Sequence, residues 1–242
     1  MHRSRPPAGP IRWDAAPTRG GGTRWIATLP PDDDVRFRSL VARVAPAIER
    51  SLGAAVLANR TSPLGGPAML RPWRPAHRRW RRSLETVLDE RRAAATADVA
   101  GCYASIAPDA VGRALEHAGA DRDHVRELVA WLHALERVGV VGLPIGPEPS
   151  AILANAVLSA GDRALDACGV RWFRWVDDWV FVGDGIDRAL DGLADALARQ
   201  GLVLHDRKTR RFTDARDALR DPHRSAASLA PEDGFRVHRS RP

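Results

Sequence analysis

Residues 170–183 read VRWFRWVDDWVFVG, with Asp177 and Asp178 side by side between two runs of aromatic and β-branched residues. Such runs suit β-strands, so the segment reads as a hairpin whose turn is Asp-Asp. Two-residue hairpin turns need positive φ and usually recruit Asn-Gly or Asp-Gly. Here two like charges stand among large apolar neighbours, and local rules are broken most often at functional sites. Two carboxylates about 4 Å apart repel by roughly 4 kcal/mol at an effective dielectric near 20. Either one is protonated or a cation neutralises them, and magnesium prefers hard oxygen ligands of this kind. A solvated acidic turn is the alternative, the reading that suits Asp32, Asp33 and Asp34.

Upstream, ATADV (95–99) is a short strand that ends at Asp98, before GCYASI. Two helical stretches follow, near 108–118 and 121–138, the second with Val125, Leu128, Val129, Leu132 and Leu135 on one face. The Gly/Pro-rich link GVVGLPIGPEPS leads into a helix at about 150–167. Beyond the hairpin, Ile186, Leu190, Leu193 and Leu197 mark an amphipathic helix over 186–200 that Gly201 stops, and GLVLHDRKT (201–209) reads as a last strand. Strand, helices, two strands, helix, strand is the order of a split βαβ, ferredoxin-like α+β domain with helices packed on one face. Its first and central strands are neighbours, so Asp98 can face the hairpin turn and complete a three-carboxylate site. Such a site suits two metals roughly 3.5–4 Å apart. Because this fold hosts many functions, the site must carry the functional reading.

Four regions result: a flexible basic arm at 1–30, a helical region at 31–93, the carboxylate-bearing region at 94–212 and a polar tail at 213–242. Val35, Phe37, Leu40, Val41, Val44 and Ile48 give residues 34–52 a helical period, residues 60–72 read as loop, and 71–92 carry many arginines around Trp73 and Trp80. HRSRP occurs at 2–6 and again at 238–242, and two copies are no repeat architecture.

The 242 residues, 44% apolar and 28% charged, have a globular balance. No apolar run reaches the roughly 18 residues of a membrane span, the N-terminus lacks the apolar core of a secretory signal, and Cys102 and Cys168 cannot build a disulfide framework. The expectation is a cytoplasmic protein with no membrane partner. A net charge of +7 and a pI near 10.8 suit an anionic partner such as nucleic acid. Among the 37 Lys and Arg residues the one lysine is Lys208, and the one tyrosine is Tyr103. Either each survives by chance, or each does what Arg or Phe could not.

Four segments resemble reverse transcriptases, in that family's order. DVAGCYASI (98–106) is similar to the first catalytic motif, an Asp with an aromatic five residues later; GLPIGPEPSAILANAVLSAGDRAL (142–165) to the LPxG…S…LA segment; FRWVDDWVF (173–181) to the YxDD box; and GLVLHDRKT to the GLxLNxxKT segment. The resemblance implies a fingers-palm core, with fingers over 31–93 and palm over 94–212. It implies a templated DNA polymerase using two magnesium ions, or manganese in their place. Asp98 and Asp177 would be the main ligands, with Asp178 beside them and the Val99 carbonyl helping. Tyr103 falls on the steric gate that crowds the sugar 2′ position and favours dNTPs. Gly146 and Ser150 match the loop and helix beneath template and incoming base. Lys208 matches a lysine near the triphosphate proposed as general acid, a role in which Arg, with a pKa above 12, would be poor. Arg71, Arg74, Arg78, Arg79, Arg81 and Arg82 are candidates for phosphate contacts, with a solvated basic helix as the alternative. Trp73 and Trp80 would stack on bases or pack internally.

Trp175 stands where the family has Tyr, and Ile145 where Gln is usual, a change expected to alter nucleotide contacts. GLPIGP is nearer to bacterial phage-defence, abortive-infection members than to retroviral ones. His117, His124 and His133 lack a metal-ligand pattern, Cys102 need only be small, and Asp162 matches a structural helix-end Asp. Only a short polar stretch follows Lys208, so a thumb is expected to be absent or supplied by a protein partner. RNA template, DNA primer and dNTPs are the expected partners. Two other readings stay open: a template-independent or protein-primed DNA polymerase, and a non-enzymatic nucleic-acid-binding remnant or partner subunit.

Overall fold

The computed structural model describes residues 7, 9–17, 22–63, 68–88 and 92–220. In chain order the elements are β1 (Arg12–Pro17), β2 (Thr23–Thr28), α1 (Pro31–Ser51), α2 (Trp73–Leu88), β3 (Ala94–Asp98), α3 (Cys102–Ser105), α4 (Pro108–His117), α5 (Arg122–Glu136), α6 (Glu148–Cys168), β4 (Arg171–Trp175), β5 (Asp178–Val182), α7 (Ile186–Ala198), β6 (Arg210–Phe212) and α8 (Ala215–Arg220). The fold is mixed α/β with two antiparallel sheets, the hairpin β1-β2 and a four-stranded sheet of order β4-β5-β3-β6.

Local chemistry sets most helix starts. Pro31 opens α1, where a proline costs no helical hydrogen bond, and Asp32, Asp33 and Asp34 lie in its first turn against the positive end of the dipole. Asp33 is buried and Asp34 pairs with Arg38 at 2.8 Å, so these aspartates are a helix start rather than a solvated run. The Asp121 carboxylate caps α5 by accepting from the amides of Asp123 and His124, which lowers its pKa. Helix α6 is buried almost all round and runs through the core. A Cβ on Gly161 would lie 2.6 Å from Leu193 Cδ1, so a residue without a side chain lets α7 approach α6.

The central strand β3 is buried at all five positions because helices cover both faces of the sheet. Side chains alternate across a strand. Ala95, Ala97, Trp179 and Phe181 pack with α1, α4, α5, α6 and α7. Ala94, Val180, Val182 and Trp175 pack with Trp80, Leu84 and Val87 of α2 and Ala215 and Ala218 of α8. The expectation of helices on one face is therefore corrected. Trp80, Leu84 and Val87 recur at i, i+4 and i+7, a stripe that must be buried, and the sheet's second face buries it.

Three boundaries also differ from expectation. Part of the expected arm is the hairpin β1-β2, whose β2 is held by Ala27 donating its amide to the Ile145 carbonyl at 2.7 Å. Residues 201–209 make no strand; Leu204 forms a single bridge to Val99, a turn closes on His205, and β6 begins at Arg210. The expected tail contains α8, anchored by buried Ala215 and Ala218. The HRSRP copies lie outside the described residues. Among those residues no helix is long and apolar enough to cross a membrane.

Candidate metal centre

The β4-β5 connection turns at Val176 and Asp177, and Asp178 is already the first residue of β5. The Asp-Asp turn is thus displaced by one residue. Val176 takes the positive φ, at 57°, a conformation that a β-branched side chain resists. Registry then does the rest: Asp98, last in β3, stands directly opposite Asp178. Opposed residues share a face of the sheet, so the two carboxylates lie on one side. Asp177 adds a third, and one oxygen from each residue falls within 4.8 Å of the others.

Asp98 is buried, whereas Asp177 and Asp178 are half-buried. The Lys208 ammonium donates to both Asp98 oxygens at 3.0 Å. Its segment is stitched to the same strand. His205 donates its amide to the Asp98 carbonyl at 2.7 Å, and Thr96 donates its hydroxyl to the Lys208 carbonyl at 3.1 Å. One lysine does not neutralise three acids. The Asp177 carboxyl is pushed up to about 6, first by burial and then by the charge of Asp98, against opposing pulls from a backbone amide, Lys208 and Arg24. Three convergent carboxylates, one driven toward protonation, form a hard-oxygen donor set that fits Mg²⁺ or Mn²⁺. Burial and the same carboxylates raise the neighbouring Cys102 thiol well above its ordinary value, so it offers no thiolate for a softer metal.

The other expected site residues are distributed unevenly. Val99 follows Asp98 and is buried against Leu204. Tyr103 is half-buried beside the core, its phenol raised by burial, with Cys102 and Asp177 as further contributors. Its carbonyl accepts the Leu143 amide at 2.8 Å, tying the ring's backbone to the GLPIG loop. Gly146, at φ +125°, lies where a Cβ would come within 2.8 Å of the Ala27 carbonyl oxygen. Its missing side chain lets β2 dock. Ser150 is fully buried at the start of α6, its hydroxyl without a hydrogen-bond partner among the described residues. Arg78 and Arg79 lie on the exposed face of α2 with Arg74, Arg81 and Arg82, without a bond to the acids among the described residues. Arg71 is bound to Glu49 and the Thr61 carbonyl. Trp80 is core, and Trp73 is 41% exposed. His133 joins α5 to α4 by bonding Glu136 and Asp109, a surface tie.

Two residues near the centre carry no sequence signal strong enough to single them out. Arg24, on β2, acts electrostatically on both Asp177 and Tyr103; a strand exposed along most of its length leaves no apolar period to reveal it. Arg174 is fully buried and pairs with Asp162 through Nε at 2.8 Å and Nη2 at 2.6 Å. The one visible hint is an arginine between aromatic residues of an apolar strand.

No protein-family model matches the chain, and no curated protein matches its sequence. Solved structures do match. They include telomerase from Candida tropicalis in complex with the TWJ fragment of telomeric RNA, 14% identical, TM-score 0.55, covering 84% of this chain and 40% of that one. They include apo Candida tropicalis telomerase truncated from its C-terminal domain, 15% identical, TM-score 0.50, covering 86% and 51%. An RNA-dependent RNA polymerase of a human picobirnavirus matches more loosely, 16% identical, TM-score 0.46, covering 84% and 41%. The chain thus spans about half or less of each of those chains. Its fold is a palm-like polymerase fold, with three aspartates placed together where they can hold a metal ion.

Proposed function

We propose that this chain is a reverse transcriptase, an RNA-directed DNA polymerase that adds dNTPs to a primer by two-metal phosphoryl transfer. The carrying observation is the convergence of Asp98, Asp177 and Asp178, from two separate segments, at the end of the central strands of a polymerase-like sheet. The order β4-β5-β3-β6 supports a split βαβ palm, which would span 94–212, with fingers over 31–93.

Asp98, Asp177 and Asp178, with the Val99 carbonyl, would hold two Mg²⁺ ions. When bound, such ions activate the attacking primer oxygen and stabilise the charge on the leaving pyrophosphate. Asp177 must give up its proton to serve as a ligand, so protonation of this raised carboxyl competes with metal binding. Lys208 holds both Asp98 oxygens, and its ammonium would be the group placed to donate a proton to the pyrophosphate oxygen. Tyr103 would wall off the 2′ position of the incoming sugar. The exposed arginines of α2 would bind backbone phosphates. The phage-defence assignment rests on the GLPIGP segment alone.

Primer extension tests this reading, with RNA template, DNA template and no template, and with dNTPs against NTPs. RNA-templated, metal-dependent dNTP incorporation is the expected result. Homopolymer made without template would select the template-independent reading. A biological effect unchanged after both Asp177 and Asp178 are replaced by Ala would select the non-enzymatic one.

A further inference from the structure

Among the described residues only Asn59 and Val176 have positive φ without being glycine. One buried polar cluster holds both. Arg174 Nη1 donates to the Val176 carbonyl at 2.8 Å and to Asn155 Oδ1 at 2.7 Å. Asn155 Nδ2 donates in turn to the carbonyls of Ala58 and Asn59, each at 3.1 Å. Asp162 accepts Nε and Nη2 of Arg174, and its Oδ1 also accepts the Trp179 indole N–H at 2.9 Å. The Arg174 main chain joins the same segment, donating to the Ala55 carbonyl at 3.0 Å and accepting the Leu57 amide at 3.1 Å.

A buried Arg–Asp pair roughly breaks even against an apolar replacement, so stability alone does not account for it. What the pair supplies is direction. A guanidinium presents its donors in a rigid fork. With two arms fixed on Asp162, the third is aimed at a carbonyl in the turn that carries Asp177. Left to itself, Val176 would leave the left-handed region, and the Asp177 carboxylate would swing with it.

We propose that Arg174 is a positioning residue. Locked by Asp162 and Asn155, it holds the Val176 carbonyl and so aims Asp177 at Asp98. This rests on the metal-centre reading, and the test separates the two.

The full chain is compared with Arg174→Lys, Val176→Gly, their double variant and Trp179→Phe. Mn²⁺ affinity is measured by calorimetry, and thermal unfolding is followed in chelator. Lysine lacks the fork, so Arg174→Lys should weaken Mn²⁺ at least tenfold. Glycine adopts positive φ readily, so Val176→Gly added to Arg174→Lys should restore most of that loss. Trp179→Phe removes the indole bond to Asp162 Oδ1 but leaves both guanidinium bonds to that carboxylate in place; it should lower the melting temperature with Mn²⁺ affinity unchanged. If Arg174→Lys fails to fold, Asp162→Leu with Arg174→Met removes both charges together, and the same tenfold loss is expected. Unchanged Mn²⁺ affinity in the Arg174 variants, no rescue by Val176→Gly, or an equal loss in Trp179→Phe would each overturn the proposal. A parent chain that binds no Mn²⁺ would instead sink the metal-centre reading.

Discussion

Replacing Asp177 by Asn should stabilise the metal-free protein while removing its ability to hold a cation. The Asp177 carboxyl rises from its ordinary 3.8 to about 6, because burial and Asp98 disfavour its charge. The folded protein therefore binds this proton more tightly than the unfolded chain does. The contribution of this group to stability in chelator is fullest below about pH 4, falls as pH rises toward 6, and stays lost above it. A shift of about two units at 1.36 kcal/mol each gives an upper figure of about 3 kcal/mol. The group is half-buried, and solvent screening reduces this to about 1–2 kcal/mol. Asn is similar in shape and carries no charge. At pH 7.5 in chelator, Asp177→Asn should melt about 2–8 °C higher than the parent, and the fall in stability that this carboxyl causes between pH 4 and 6 should be absent. The assay is calorimetric unfolding across pH with and without Mg²⁺. Mg²⁺ should raise the parent's melting temperature and leave the variant's unchanged. A variant that melts lower in chelator, or one that still responds to Mg²⁺, would refute the electrostatic account of this turn.

Other expectations concern the remaining roles. Tyr103→Ala should admit ribonucleotides, seen as a fall in the dNTP-to-NTP ratio of kcat/KM in primer extension; unchanged selectivity would remove the gate assignment. Lys208→Arg keeps an ion-pair partner for Asp98 but is a poor acid, so kcat should fall about 10²–10⁴-fold with little change in KM, as single-turnover kinetics would record. Replacing Arg78 and Arg79 by Ala should lessen the salt dependence of nucleic-acid binding by about 0.7–0.9 in slope for each phosphate no longer neutralised, measurable by fluorescence anisotropy across ionic strength.

The parts of this architecture that local pattern reveals are the parts bound to the core. The strand ending at Asp98, the strands around Asp177 and Asp178, and helices α4 to α7 announce themselves because apolar period and burial coincide there. The stripe Trp80, Leu84 and Val87 is masked by the arginines around it, which hides the second face of the sheet from a reading of local pattern. The turn lies one residue from its expected place: positive φ at a valine contradicts local preference, and the Val176 carbonyl there accepts from Arg174, a contact distant in sequence from the α6 residues that hold that guanidinium. Hairpin β1-β2 is exposed along most of its length, and so its strands show no inward-facing period. For Asp98, Asp177 and Asp178 the expected convergence is what the geometry has; Lys208, expected near a triphosphate, is bonded to Asp98 instead. For Gly146 the geometry adds a different reason, the docking of β2. Ser150 is sealed inside the core at the start of α6, away from open space.

Whether a divalent cation binds between the three aspartates decides the account. Crystals grown with Mn²⁺, measured at the manganese absorption edge, should give an anomalous peak within coordination distance of Asp98 and Asp177, with Lys208 withdrawn from Asp98. A lysine still bridging Asp98 at saturating Mn²⁺, with no peak at the acids, would contradict it.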